Sequence, residues 1–277
     1  MNFSEYGIPE GKLLIYFHGA PGSPKEAEVF DQYAKEFSLK VICFDRFSVD
    51  IALQNQDYYQ YLAKTIIDEA KGQPVNLVGF SIGCQAAIET GKYIKNQVQS
   101  LHLISAAAPL DGDDFLNDMA GKMVFTLAKK YPTAFKCLSY WQTLLAKVAP
   151  NALFKMLFSS AADQDQSLSK TEDFKRYITP ILTHCFSKTV QGYIREISLY
   201  VTPWKAEIDN CTIKTHIWHG THDNWSPVSM GHYLKKKMPL ATQLELFPKL
   251  SHYSCLYAAA PKICALLSPH QSSSPTL

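Results

Sequence analysis

Nowhere in its 277 residues does the chain carry a CxxC pair, a basic run longer than Lys235–Lys237, or an apolar stretch long enough to span a bilayer, for which about 20 residues are needed. The seven cysteines are odd in number and scattered. That argues against a zinc site or a disulfide framework and for reduced thiols in a cytosol-like compartment. The opening residues MNFSEYGIPEGK lack both the basic and the apolar region of a secretory signal. The expectation is a cytoplasmic protein without stable membrane insertion. With 27 basic and 25 acidic residues, the charge balance gives no reason to expect nucleic acid as a partner.

Other absences narrow the chemistry. HGAPGSPK has the look of a phosphate loop without its G-K-[ST] ending, so nucleotide binding is not supported. LDGDDFLND lacks the spacing of an EF-hand loop, and Asp113 or Asp114 is expected to cap the helix that follows. His216 and His219 are three apart in a strand pattern and must face opposite sides. With His222 they are therefore read as ordinary strand and loop residues rather than metal ligands, and His102 as a satisfied core residue.

What is present is an alternation of short β-rich runs with helical patterns, the signature of a parallel sheet covered on both faces. Strands are predicted at 12–18, 39–45, 75–80, 98–106, 212–220 and 242–248. Helices are predicted between them, with Val29, Phe30, Tyr33 and Phe37 on one stripe. From 109 to 205 the alternation stops, and the sequence is helical and rich in aromatics. The predicted organisation is a first core part (1–108), a helical insertion (109–205), a second core part (206–268) and a polar, disordered tail (269–277).

The strand 75–80 breaks into Gly79-Phe80-Ser81-Ile82-Gly83 at the start of a helix. G-x-S-x-G at a strand–turn–helix junction lifts the serine clear of the sheet, and the helix N-terminus behind it favours developing negative charge. Cys84, just beyond, reads as a small buried helix residue. A serine hydroxyl needs a base, and the base an orienting acid. The later strands supply them from their carboxyl ends: Asp223 in HGTHDNWSP and His252 in LSHYS. Asp111, after the fourth strand, is the alternative acid.

These residues together resemble the α/β-hydrolase superfamily over about residues 11–267. The matching landmarks are HGAPGS after the first strand, the serine elbow, the turn Gly220–Asp223–Pro227, and a late histidine. The resemblance implies a mainly parallel sheet, here six-stranded, flanked by helices and carrying an inserted lid. It implies catalysis by Ser81, Asp223 and His252, and an oxyanion hole from the backbone N–H groups of Ala20 and Ile82. Three features depart from the family pattern: Ser251 stands where a glycine usually precedes the histidine, DRFSVD replaces a glycine- and proline-rich turn, and the N-terminus is short for the usual opening antiparallel strands.

The expected activity is a serine hydrolase cleaving a small or medium-chain carboxylic ester, or a thioester or amide, through an acyl-enzyme and without a cofactor or metal. His18 is expected to support the oxyanion loop. Apolar stripes in the insertion, with Phe115 and Trp141 as candidates, would roof an acyl pocket, and the lid could touch membranes transiently. The rival expectation is a hydrolase-derived protein that binds a small molecule with little turnover.

Overall fold

The computed structural model describes residues 1–268; the tail predicted to be disordered (269–277) lies outside them. The strands are β1 (Phe3–Gly7), β2 (Lys12–Phe17), β3 (Leu39–Phe44), β4 (Val75–Phe80), β5 (Val98–Ile104), β6 (Thr215–Gly220) and β7 (Ala241–Phe247). The core helices are α1 (Asp31–Glu36), α2 (Asn55–Ala70) and α3 (Gly83–Gly91). Seven more lie between β5 and β6: α4 (Lys122–Lys130), α5 (Pro132–Val148), α6 (Pro150–Leu157), α7 (Asp163–Leu168), α8 (Glu172–Lys188), α9 (Val190–Val201) and α10 (Lys205–Asp209). The chain closes with α11 (Val228–Lys237), ending in the lysine run, and α12 (His252–Leu267).

All seven strands join one sheet in the order β1-β3-β2-β4-β5-β6-β7. β4 is buried at every position, as a central strand covered by helices on both faces must be. Its neighbours run parallel, with Gly79 beside Leu103 and Phe80 beside Ile104. Ile104 in turn lies beside Trp218, and Gly220 beside Phe247. The carboxyl ends of β4, β6 and β7 therefore open onto one rim.

The sheet has one strand more than the six read from sequence. β1 pairs antiparallel with β3, Phe3 opposite Phe44 with rings 5.7 Å apart. It escaped the sequence because FSEYG is short, half polar and only partly buried. Its order comes from ladder bonds to β3 rather than from an apolar run of its own.

Among the described residues no strand interrupts the helices between β5 and β6. Pro132 and Pro150 open α5 and α6, a position where the missing N–H has no helical partner to lose. Phe135, Ser139, Gln142 and Ala146 form the buried face of α5, which packs on α4, α6, α8 and α9. Asp113 and Asp114 do not cap α4 as expected. Asp113 accepts the N–H of Asp114, and Asp114 holds the Asn117 amide, while Gly121 precedes α4. Among the described residues no helix is long and apolar enough to cross a membrane.

Candidate active site

Ser81 leaves β4 with a left-handed backbone, φ 56°, which costs a non-glycine residue on the order of 1–3 kcal/mol and marks functional positions. Its N–H donates to the carbonyl of Ile104, 3.0 Å away. The flanking glycines are steric necessities. A Cβ at Gly79 would lie 2.6 Å from Cα of Cys84, and one at Gly83 would lie 2.3 Å from the carbonyl oxygen of Phe17. Without side chains there, the start of α3 presses against the carbonyls of Phe17 and His18 at the end of β2.

Asp223 lies in the loop after β6, fully buried. Its Oδ1 accepts the N–H groups of Trp225 and Ser226, each at 2.9 Å. Its Oδ2 is 2.8 Å from Nδ1 of His252, the first residue of α12. With Nδ1 donating to the carboxylate, Nε2 is left as the basic nitrogen. The imidazole is only 2% exposed. It packs against Phe80, the neighbour of Ser81, at 4.7 Å between ring centroids, and against Trp225 and Tyr253. Ser105 fixes the backbone of His252 by donating its hydroxyl to the carbonyl at 3.0 Å.

Electrostatics suit this pair. Burial disfavours the imidazolium, but the Asp223 carboxylate, with Asp165 and Glu26 farther off, more than offsets it and raises His252 above the ordinary imidazole value. Burial also opposes ionisation of Asp223, yet His252, with His219 and the Ser226 N–H, holds its carboxyl below the usual range. His219 is 3.9 Å from the carboxylate, with Nε2 2.8 Å from the Ser226 carbonyl.

The loop after β2 is held from beneath. His18 Nδ1 lies 2.9 Å from the Gly19 carbonyl, so His18 does brace the loop. The Gly19 N–H donates to Oε1 of Glu26 at 2.7 Å, where the Tyr16 hydroxyl also donates. Burial pushes the Glu26 carboxyl up to about 7, against the pull of these donors and of Arg46. Arg46 donates to the His18 carbonyl and pairs with Glu196, both side chains buried. Arg195 secures the DRFSVD segment through the carbonyls of Arg46, Val49 and Asp50.

Other candidates are placed elsewhere. Asp111 accepts the N–H groups of Trp204 and Lys205 at the start of α10. Cys84 is buried, with its thiol toward the Ile104 carbonyl. His216 stacks on His102, whose Nδ1 receives the Trp218 indole, while His219 belongs to the Asp223 loop. Phe115 is buried against Tyr233, rings 5.4 Å apart. Trp141 is 48% exposed on the outer side of α5. Glu26, Arg46, Glu196 and Asp165 were not legible in the sequence. The partners of Arg46, Glu196 and Asp165 lie far away along the chain, and Glu26 in PKEAE looks like a solvated helix acid although Gly19 and Tyr16 are near. Only the adjacency of Arg195 and Glu196 in an otherwise apolar helix hinted at buried charge.

A parallel sheet with a strained serine after its central strand, and an Asp–His pair on the same rim, makes this chain an α/β-hydrolase. Residues 46–255 match the family described as lipid-droplet associated hydrolase, and the chain belongs to that family. No curated protein matches it. Solved structures that resemble it include a bromoperoxidase from Bacillus anthracis, at 17% identity, TM-score 0.66, covering 96% of this chain and 94% of that one. MGS-M2, an α/β hydrolase enzyme from a Medee basin deep-sea metagenome library, matches at 18% identity, TM-score 0.65, covering 100% and 95%. A thermophilic esterase from Thermogutta terrifontis matches at 12% identity, TM-score 0.65, covering 96% and 93%. At these identities the likenesses establish the fold.

Proposed function

We propose that the chain is a serine hydrolase of apolar carboxylic esters, acting through Ser81, His252 and Asp223. The observation that carries this reading is the buried His252–Asp223 hydrogen bond, 2.8 Å, on the rim where Ser81 is held at positive φ. Ser81 Oγ attacks the acyl carbonyl carbon as Nε2 of His252 takes its proton. The N–H groups of Ala20 and Ile82 receive the oxyanion. Collapse expels the alkoxide, which takes the proton from His252, and water then cleaves the acyl-enzyme by the same route. Asp223 keeps the imidazole in the tautomer this sequence needs. A thioester or amide would react by the same steps, and none of them calls for a cofactor.

In this reading residues 109–205 form a lid over a core of residues 1–108 and 206–268. Ser81 is 9% exposed, in keeping with a covered site. Each acyl methylene buried beneath the lid would add about 0.8 kcal/mol, so kcat/KM should rise from acetyl toward about C6–C10 esters. A fluorophosphonate probe should label Ser81 alone, and labelling that survives Ser81→Ala would end the proposal. Multiple turnover on an ester panel separates a hydrolase from a binding protein that retains the site.

A second observation favours work at a lipid surface from the cytoplasmic side. Tyr140, Trp141, Leu144 and Val148 line the exposed face of α5, and Met123 and Tyr131 are exposed nearby in sequence. Residues 119–162 contain six lysines and no acidic residue, and each lysine near an anionic lipid surface contributes about 1 kcal/mol. Trp141 fits this docking role better than a place in the acyl pocket. Flotation with vesicles of phosphatidylcholine and phosphatidylserine tests it. Trp141→Ser with Leu144→Ser should lose binding while a water-soluble ester is still cleaved.

A further inference from the structure

The N-terminus of α12 is served by a carboxylate from another part of the chain. Asp165, on α7, accepts the N–H of Tyr253 at Oδ2, 2.7 Å, and that of Ser254 at Oδ1, 2.8 Å. These are the second and third residues of α12, whose first turn also carries a Ser251–Ser254 capping box of its own, with the Ser251 N–H donating to Oγ of Ser254 at 2.8 Å. The carboxylate adds acceptors from outside the helix. Asp165 is 1% exposed, so it was withdrawn from water to make this contact. The residue those bonds immediately follow is His252.

The same stretch of chain also grips the acid loop. Asn224 donates to the Ser160 carbonyl at 2.7 Å, and its own carbonyl accepts the Ala120 N–H. His222 lies 2.9 Å from Asp163. Phe158 packs on Trp225 and Tyr253, with ring centroids 5.7 and 5.6 Å apart. One seam therefore ties the inserted helices to Trp225 and Tyr253, two of the three aromatic rings packed on the imidazole.

We infer that Asp165 is a positioning residue for His252: its carboxylate locks the first turn of α12, and so makes the base's alignment depend on α7 being seated on the rim. This rests on the reading of His252 as the base. Bidentate capping fixes both the height and the rotation of the first turn. The capping box and Ser105 hold the turn locally, so loss of the carboxylate bonds shifts the turn against α7 and carries His252 with it. Misplacement of about 1 Å can cost a reaction on the order of 100-fold. The negative charge also acts on the imidazole through space. The groups facing His252 are Asp223 from the β6–α11 loop, Asp165 from α7, Glu26 from the segment after β2, and His219 from β6. Three of the four are acidic, and Asp165 is the only one the insertion provides.

The experiment uses the full chain with Asp165→Asn, Asp165→Ala and, as a seam control that touches no α12 donor, Asp163→Asn. Titration of His252 by NMR reads its ionisation directly, and steady-state kinetics on a water-soluble p-nitrophenyl ester reads its alignment. In Asp165→Asn, His252 should titrate about half a pH unit lower or more, because a charge is lost while shape is kept. kcat should fall about 10-fold with KM within twofold, since Asp165 touches no substrate. Asp165→Ala should lose more, and Asp163→Asn, which weakens the seam but leaves both α12 bonds in place, should leave the His252 titration unmoved and lose less kcat than Asp165→Asn.

An unmoved His252 titration in Asp165→Asn, with kcat within twofold of wild type, overturns the inference. So does a kcat loss that merely follows the unfolded fraction seen in thermal melts. If wild type neither labels with fluorophosphonate nor turns over esters, the hydrolase reading fails, and the NMR titration still decides the role of Asp165. Should Asp165→Ala not fold, Asp165→Asn carries both readouts.

Discussion

Trp225 and His252 lie face to face, with ring centroids 5.6 Å apart and planes within 18°. An indole face attracts a neighbouring cation by about 0.5–2 kcal/mol, more when water is excluded. The imidazolium formed as Ser81 loses its proton would sit in that field. Trp225→Leu should therefore lower kcat/KM on a soluble ester about 3- to 10-fold, with Trp225→Phe in between. Full activity in Trp225→Leu would reduce the stacking to a packing contact.

Asp223→Asn should lower kcat by about 10⁴-fold without unfolding the chain, because the amide favours the wrong imidazole tautomer. Asp111→Asn should leave kcat unchanged, since Asp111 is engaged by the N–H groups of Trp204 and Lys205. With His252 as the proposed base, its protonated form would be inactive, so kcat/KM should rise with pH through the His252 pKa. That pKa is raised by Asp223 despite burial, which places the acid limb above the ordinary value of about 6.5. A profile flat down to pH 5 would remove His252 from the role of base.

Glu26 makes stability depend on pH in the opposite sense from most carboxylates. Burial raises its folded pKa from 4.5 to about 7, so the folded state holds a proton that the unfolded state releases. The stabilisation is complete below pH 4.5 and is lost as pH rises through about 7. Glu26→Gln keeps an oxygen for the Gly19 N–H and cannot ionise. Between pH 5 and pH 8 it should gain stability relative to wild type, by at most on the order of 3 kcal/mol. Urea denaturation at the two pH values measures the difference, and a gap that does not change with pH contradicts a raised Glu26.

The buried Arg46–Glu196 pair separates stability from activity. Glu196→Gln strands the guanidinium and should cost about 3–5 kcal/mol. Replacing both residues with Met should recover much of that loss. It should not restore activity, because the hold of Arg46 on the His18 carbonyl would still be missing. Thermal melts and ester kinetics on the single and double variants test this, and a double variant that is both stable and fully active would show that the loop needs no such hold.

The sequence carried what is local. Gly79 and Gly83 announced the bend because only glycine tolerates a backbone 2.6 Å or less from its Cβ position, and Asp223 and His252 could be found by counting strand ends. β1 stayed hidden because its partner, not its own residues, makes it a strand. Asp165 and Glu26 stayed hidden for a related reason. A carboxylate in DQDQS or PKEAE looks like any solvated helix acid until distant chain segments bury it against N–H donors. Asp111 as an alternative acid and Asp113 or Asp114 as a cap were reasonable from spacing; Asp111 accepts the N–H groups of Trp204 and Lys205, and Asp113 and Asp114 bond locally before α4.

The pairing of β5 with β6 brings Leu101 beside Thr215, across the whole run of inserted helices. Parallel pairing over so long a separation must close a large loop before any contact rewards it, which makes it a slow step. On a growing chain β1 to β5, with Ser81 already on its bend, leave the ribosome long before β6 and β7 exist. Their exposed β5 edge must wait while some hundred residues of helix are made. Asp223 and His252 arrive last, behind the final two strands. On the proposed mechanism Ser81 would therefore become a reactive nucleophile only when the sheet is complete, and acquisition of fluorophosphonate reactivity during refolding should trail the recovery of helical signal. The protein would be chemically silent at every earlier stage of its own synthesis.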